Sequence, residues 1–277
     1  MSEAVSRETL AQIGAEALEL ARMAGREMAA GLQRAPEVHY KPGAHGGESL
    51  KDPVSAVDQA VEAMIRARLA ERFPDHDVLG EESGERPARG SRFLWAVDPV
   101  DGTANYINGF PLFAGSIGVL LDGVPIAGAV WCAASHALRA GTYHAVRGGG
   151  LFFEEEPVRP IFNPEVRRRL AGFVDAGPRS PEEWEARRTG SAAIECAFIA
   201  AGLLEVARFE RPNAWDVAGG FALVRATGGE IRTLGPEGWK PFESFAAEAP
   251  NGDAGQWRRP VILGRAEAVE RLCALAG

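Results

Sequence analysis

Cysteine is scarce in this 277-residue chain: only Cys132, Cys196 and Cys273 occur, far apart and odd in number. There is no CxxC pair, so neither a zinc knuckle nor a disulfide framework is supported. Each thiol reads as a small buried apolar residue in a reducing, cytoplasmic setting. The five histidines (His39, His45, His76, His136, His144) form no HxxxH-type pair, which leaves a histidine metal site or a Ser-His-Asp triad without support. No run approaches the roughly 20 uncharged apolar residues that a membrane span needs. The start, MSEAVSRETLAQIG, has neither an apolar run nor a cleavage site, so no secretory signal is expected. Cationic excess is missing as well. Lys and Arg number 30 against 38 Asp and Glu, a formal charge of −8. That balance opposes binding to the phosphate backbone of nucleic acid and to anionic lipid. It also asks whether the surplus carboxylates merely coat the surface or are gathered for a purpose.

What is present divides in two. Apolar residues from Leu10 to Met28 recur at helical spacing over Ser6–Leu32, and the period returns from Ala60 to Leu69, ending before Pro74. The stretch Pro36–Asp52, rich in Gly, Pro and charge, reads as a loop. Arg92–Val97 reads as a buried strand stopping at Asp98, and Phe113–Leu121 and Val124–Val130 flank Asp122-Gly123, a hairpin signal. Beyond Pro157 the pattern alternates: strand 170–174, helix 190–201, strand 204–209, helix 215–227, strand 230–234. A loop over 235–260, strand 260–263 and a final helix complete it. This predicts an α+β half (residues 1–156) followed by an α/β half (157–277).

The densest chemistry is Trp95-Ala-Val-Asp98-Pro99-Val100-Asp101-Gly102-Thr103. A strand delivers Asp98 to its end, and Pro99 and Gly102 turn the chain, so Asp98 and Asp101 face one space with the Val100 carbonyl between them. Hard oxygen donors so gathered suit Mg2+, and paired carboxylates repel unless a cation intervenes. The amides of Gly102 and Thr103 suit a phosphate. Gly80-Glu81-Glu82-Ser83 follows a short strand, while Asp58 and Asp216 stand at helix starts. Taken singly, a plain surface turn or helix cap explains these three better than a ligand role does; it is their joint occurrence with the Asp98 motif that points to a site.

Together, Asp52–Asp58, Gly80–Ser83, Trp95–Tyr106 with Phe110-Pro111 and Ser116-Ile-Gly118, and Trp215–Gly229 resemble the inositol monophosphatase family, in its order and over roughly residues 10 to 265. The resemblance implies a layered α/β/α/β/α sandwich shared with fructose-1,6-bisphosphatases, a homodimer, and two or three Mg2+ ions. It assigns Glu81, Asp98 and the Val100 carbonyl to one metal, and Asp98, Asp101 and Asp216 to a second. Thr103, oriented by Asp58, positions the attacking water together with Glu81. Gly102 and Thr103 hold the phosphate, and Ala193 and Asp101 face the alcohol portion. Two metals can acidify a water and stabilise a leaving oxygen with little covalent help from side chains. The substrate expected from the resemblance is a small phosphate monoester, inositol 1-phosphate foremost. Histidinol phosphate, fructose 1,6-bisphosphate and 3′-phosphoadenosine phosphates are alternatives, as is a non-catalytic sugar-phosphate-binding protein. Glu210 is the candidate for the polyol hydroxyls, but stands one position nearer Asp216 than the family pattern. The loop Lys41–Lys51 supplies candidates for a lysine over the metals. An aspartyl-phosphate mechanism is disfavoured, because Asp98 and Asp101 are one residue further apart than a D-x-D pair.

Overall fold

A computed structural model describes residues 5–33, 38–42, 48–173 and 182–276. The first helix, α1 (Arg7–Leu32), starts where the Ser6 hydroxyl accepts the Thr9 amide at 3.0 Å, and it buries Ile13, Leu20, Ala24 and Met28 completely. The stretch read as a loop holds instead an antiparallel pair, β1 (Val38–Pro42) and β2 (Glu48–Ser55). Pairing across the chain overrides the local turn composition here, and β2 runs straight into α2 (Ala56–Arg72). The side chains of Lys41 and Lys51 lie outside the described residues.

Seven strands form the first sheet in sequence order: β3 (Asp77–Gly80), β4 (Phe93–Asp101), β5 (Ala114–Leu121), β6 (Val124–Cys132), β7 (Gly141–Val146), β8 (Phe152–Phe153) and β9 (Glu156–Pro157). Only β3 and β4 run parallel; every other neighbour is antiparallel. The expected hairpin joins β5 to β6 at Asp122-Gly123, and Asp122 is pinned by Arg92 at 2.8 Å. The short helix α3 (Thr103–Ile107) follows β4.

The second sheet has six strands, β10 (Arg169–Phe173), β11 (Trp184–Arg187), β12 (Val206–Phe209), β13 (Glu230–Gly235), β14 (Gly238–Pro241) and β15 (Val261–Gly264), in the order β11-β10-β12-β15-β13-β14. Between the two sheets lie α4 (Ala192–Ala200), which packs on β12 and β5, and α5 (Ala214–Ala226), which packs on β5, β6 and β13. Both helices are apolar nearly all round, as a helix covered on two faces must be. Helices α1 and α2 cover the far side of the first sheet, and α7 (Ala266–Leu275) covers the outer side of the second. The result is the layered α/β/α/β/α sandwich. One apolar core, including Ala96, Val130, Ala193, Ala218 and Leu263, runs through the middle of it.

The segment 235–260 is not a plain loop. It folds as β14, the short helix α6 (Phe245–Glu248) and two 3-10 turns, anchored by Phe242, Phe245 and Trp257; the last two rings meet at 4.8 Å. Buried aromatics hold a stretch whose Gly, Pro and Glu content masks any period. All three cysteines are buried and unbridged. No helix among the described residues is long and apolar enough to cross a membrane.

Candidate active site

The acidic motif does not simply follow β4: it lies within the strand's end. Asp98 pairs with Ser116 and Asp101 with Ala114, so three steps along β4 match two along β5. Regular pleating alternates faces and would put residues three apart on opposite sides of the sheet. The extra residue, a bulge containing Pro99 and Val100, restores Asp98 and Asp101 to one side. The expected convergence therefore arises from a bulge rather than from an immediate turn. The Val100 amide donates to Asp98 Oδ1 at 3.1 Å. Beside them, Gly80 on parallel β3 pairs with Val97, which sets Glu81 next to Asp98 at the same end of the sheet.

Asp58 and Asp216 come from helix starts and serve there as caps. Asp58 Oδ2 accepts the Ser55 amide (3.0 Å) and hydroxyl, and Asp216 Oδ2 accepts the Asn213 amide at 2.7 Å. Asn213 Nδ2 also donates to both Asp216 oxygens, at 3.3 and 3.1 Å, whereas Asp58 keeps Oδ1 clear of Ser55. Thr103 Oγ1 lies 3.1 Å from Asp58 Oδ1 and 2.9 Å from the Val100 carbonyl oxygen, with one proton for two acceptors. Asp101 is held from the other half of the chain: Ser191, the cap of α4, donates its hydroxyl to Asp101 Oδ2, and the Ala193 amide donates to the same oxygen at 2.6 Å. Gly102, which begins α3, adopts φ +85°, and a Cβ there would stand 3.2 Å from the carbonyl oxygens of Leu112 and Gly190. Asn105 closes this seam by donating to the Leu112 and Thr189 carbonyls, both at 2.6 Å.

Each of these acids feels the others. Burial drives Asp98 well above the ordinary carboxylate range, and Glu81, Asp101, Asp216 and Asp58 push in the same direction. Burial and then Asp101 raise Asp216 well above its usual value, against the Asn213 hydrogen bonds. Asp101 is pushed up to about 6 by burial, with Ser191 and Ala193 opposing. Asp58 is raised by burial, and the hydrogen bonds from Ser55 and Thr103 work against that rise. The main influences on Asp98 thus include no cation, only burial and other carboxylates. Among the described residues, no three His, Cys, Asp or Glu side chains are drawn in tightly enough to clasp a metal by themselves. Asp98, Asp101 and Asp216 are each held on a hydrogen-bond donor instead. The donor set nevertheless has the chemistry of a hard divalent cation site: a buried carboxylate and carbonyl at Asp98 and Val100 and half-buried carboxylates at Glu81, Asp101 and Asp216, whose mutual repulsion a cation would relieve.

Two expected substrate contacts stand differently. Ala193 is fully buried and meets Asp101 through its amide. Glu210 lies between β12 and α5 and pairs with Arg208 at 2.7 Å. Sequence reading assigned no supporting role to Ser191 and Asn213, each standing just before an apolar helical run, nor to Asn105, which lies inside α3.

Comparison with known proteins adds to this geometry. The profile of the Inositol monophosphatase family matches residues 9–270. A probable inositol 1-monophosphatase, ImpA, of Mycobacterium tuberculosis is 35% identical, the match covering 72% of this chain and 78% of the relative. A fructose-1,6-bisphosphatase/inositol-1-monophosphatase of Aquifex aeolicus is 32% identical, over 67% of this chain and 74% of its own. In fold, the solved structure of an inositol monophosphatase from Anabaena (Nostoc) sp. superposes with a TM-score of 0.73 at 24% identity, covering 96% of this chain and 95% of that one.

Proposed function

This chain belongs to the inositol monophosphatase family and is a phosphomonoesterase; on that premise we propose that it hydrolyses inositol 1-phosphate with Mg2+ in the acidic site. One observation carries the metal assignment: Asp98 is buried, and the groups that act on it most are other carboxylates. In this reading Glu81, Asp98 and the Val100 carbonyl hold one ion, and Asp98, Asp101 and Asp216 hold a second. Bound there, Mg2+ supplies charge that acidifies the attacking water and steadies the departing alcohol oxygen. The protein's own part is orientation. By donating its proton to Asp58, Thr103 leaves its oxygen lone pairs to accept from water, and Glu81 accepts from the other side of that water. The amides of Gly102 and Thr103 receive the phosphate, which the left-handed turn at Gly102 makes possible. Asp101 and Ala193 border the alcohol, and Glu210 reaches for its hydroxyls. A homodimer in the cytoplasm belongs to the same proposal.

Fructose 1,6-bisphosphate is the second reading, favoured by the engagement of Glu210 with Arg208 and by the double name of the Aquifex relative. The test is a panel of phosphate monoesters ranked by kcat/KM, with and without chelator. Inositol 1-phosphate should lead, and chelation should abolish release. A tenfold lead for another ester overturns the substrate while leaving the metals in place. Unchanged release in chelator overturns the metals.

A further inference from the structure

The turn that carries Glu81 is held from below by a carboxylate that has no part in the roles assigned so far. Glu62 lies on α2, four residues after Asp58, so both project from one face of that helix about 6 Å apart along its axis. Glu62 is 2% exposed, and each of its oxygens accepts one backbone amide of the turn: Oε2 from Glu82 at 2.8 Å and Oε1 from Ser83 at 3.0 Å. One helical turn on, Arg66 donates Nε to Glu62 Oε1 at 2.8 Å and extends its two remaining nitrogens to the carbonyls of Ser83 and Glu85, both at 3.0 Å. The fit leaves no slack, because a Cβ on Gly80 would stand 2.3 Å from the Glu62 carboxylate. A buried carboxylate is costly unless cation and donors compensate it, and here both do.

From this geometry we infer that Glu62, backed by Arg66, is a positioning residue that fixes the Glu81 carboxylate at the reaction centre. The inference rests on the reading of Glu81 as a metal and water ligand. Helix α2 then acts as a ruler for both flanks of the attacking water: Asp58 sets Thr103, and Glu62 one turn later sets Glu81. The two contacts are fixed to one rigid rod, so neither flank shifts without the other.

The test uses Glu62→Gln, which offers an amide N–H where the turn needs an acceptor, and Arg66→Met, which leaves Glu62 in place but removes its brace. For Glu62→Gln the expected result is a fall in kcat of about 10- to 100-fold, with substrate KM within about twofold of the parent. Calorimetric titration of Mg2+ into the substrate-free protein should show a matching rise in dissociation constant, about tenfold. The Glu82 and Ser83 amides should exchange with solvent faster in chelator, while helix α7 keeps its parental exchange rates. Arg66→Met should move the same three readouts in the same direction by about threefold. A merely structural Glu62 lowers the melting temperature and speeds exchange but leaves kcat and Mg2+ affinity within about twofold below the melt; that outcome overturns the inference. If Glu62→Gln does not fold, parental kcat and Mg2+ affinity in Arg66→Met overturn it equally. Glu81→Gln separates the two levels. Parental Mg2+ affinity and turnover in that variant strike the reading of Glu81 itself, whereas an inactive Glu81→Gln beside a normal Glu62→Gln strikes only the clamp.

Discussion

Two glycines on one segment differ almost solely in their surroundings, which makes Gly102→Ala a quantitative test of how the phosphate end of the site is built. Gly102 has φ +85° and Gly109 has φ +68°. A left-handed conformation costs an L-residue roughly 1–2 kcal/mol, and both substitutions incur it. At Gly109 nothing lies within 4 Å of the new methyl, so the backbone cost stands alone. At Gly102 the methyl meets the Gly190 and Leu112 carbonyl oxygens at 3.2 Å and the Ser191 Cβ at 3.3 Å, and these must each yield by a few tenths of an ångström. Such crowding adds about 1 kcal/mol or more. The total for Gly102→Ala is then about 2–4 kcal/mol, or about 3–7 °C in melting temperature for a chain of this size, against about half that for Gly109→Ala. The functional difference should be larger. Ser191 holds Asp101, and Leu112 is tied by Asn105, so the yielding atoms belong to the site. A displacement of that order costs about tenfold or more in kcat, whereas Gly109→Ala should stay within about twofold of the parent. Calorimetry and phosphate release in saturating Mg2+ measure both quantities. Equal losses at the two glycines would refute the packing argument.

Asp98→Asn and Asp216→Asn should each lower Mg2+-dependent turnover by roughly a thousandfold, while the metal-free proteins melt higher than the parent because one like charge is gone. Near-parental turnover in either variant contradicts the two-metal reading. His76 is stacked between Phe73 (4.9 Å) and Phe93 (4.4 Å), and the Trp95 indole donates to its Nδ1 at 3.0 Å; burial lowers its pKa below 6.5. The unfolded chain then takes up this proton first, so the stability is complete above pH 6.5 and is lost as pH falls below that value. Urea unfolding at pH 7.5 and 5.5 should show a smaller acid loss in His76→Gln than in the parent. Identical losses in the two proteins count against His76 as the source.

The parts of the site that could be read early are those whose geometry is local. Asp98, Asp101 and Thr103 sit within six residues, and a strand followed by Pro and Gly already says that they converge. The mechanism of convergence was not legible, since a bulge is defined against β5, not within β4. Asp58 and Asp216 both cap helices; Asp58 gives Ser55 one carboxylate oxygen and turns the other to Thr103, whereas Asn213 reaches both oxygens of Asp216. The supporting residues stayed hidden for a different reason. Ser191 reaches Asp101 across 90 positions and Asn105 reaches Thr189 across 84, distances over which no period or motif carries a signal. Glu62 looked like any acid on an amphipathic helix, and only the close approach of Gly80 gives it away. The paired strands β1 and β2 and the aromatic anchors of 235–260 were lost in the same way, to tertiary contacts beneath turn-rich composition.

The seam joining Asp101 to Ser191 has a consequence for how the enzyme comes into being. The first sheet's acids are made early, but the hydroxyl that holds Asp101 is 90 residues downstream, and Asp216 follows later still on α5. At about 5–20 residues per second, a ribosome takes about 5–18 s to cover that gap. Throughout that interval the nascent chain carries an acid-lined strand end whose partners do not yet exist, and the sheet face that α5 will cover is bare. On the proposed reading of Asp101 and Asp216, catalysis cannot begin on a chain that lacks α5, and the same interval is when a chaperone has the most apolar surface to shield. On that reading the first turnover waits for α5, a helix that begins more than 110 residues after Asp101.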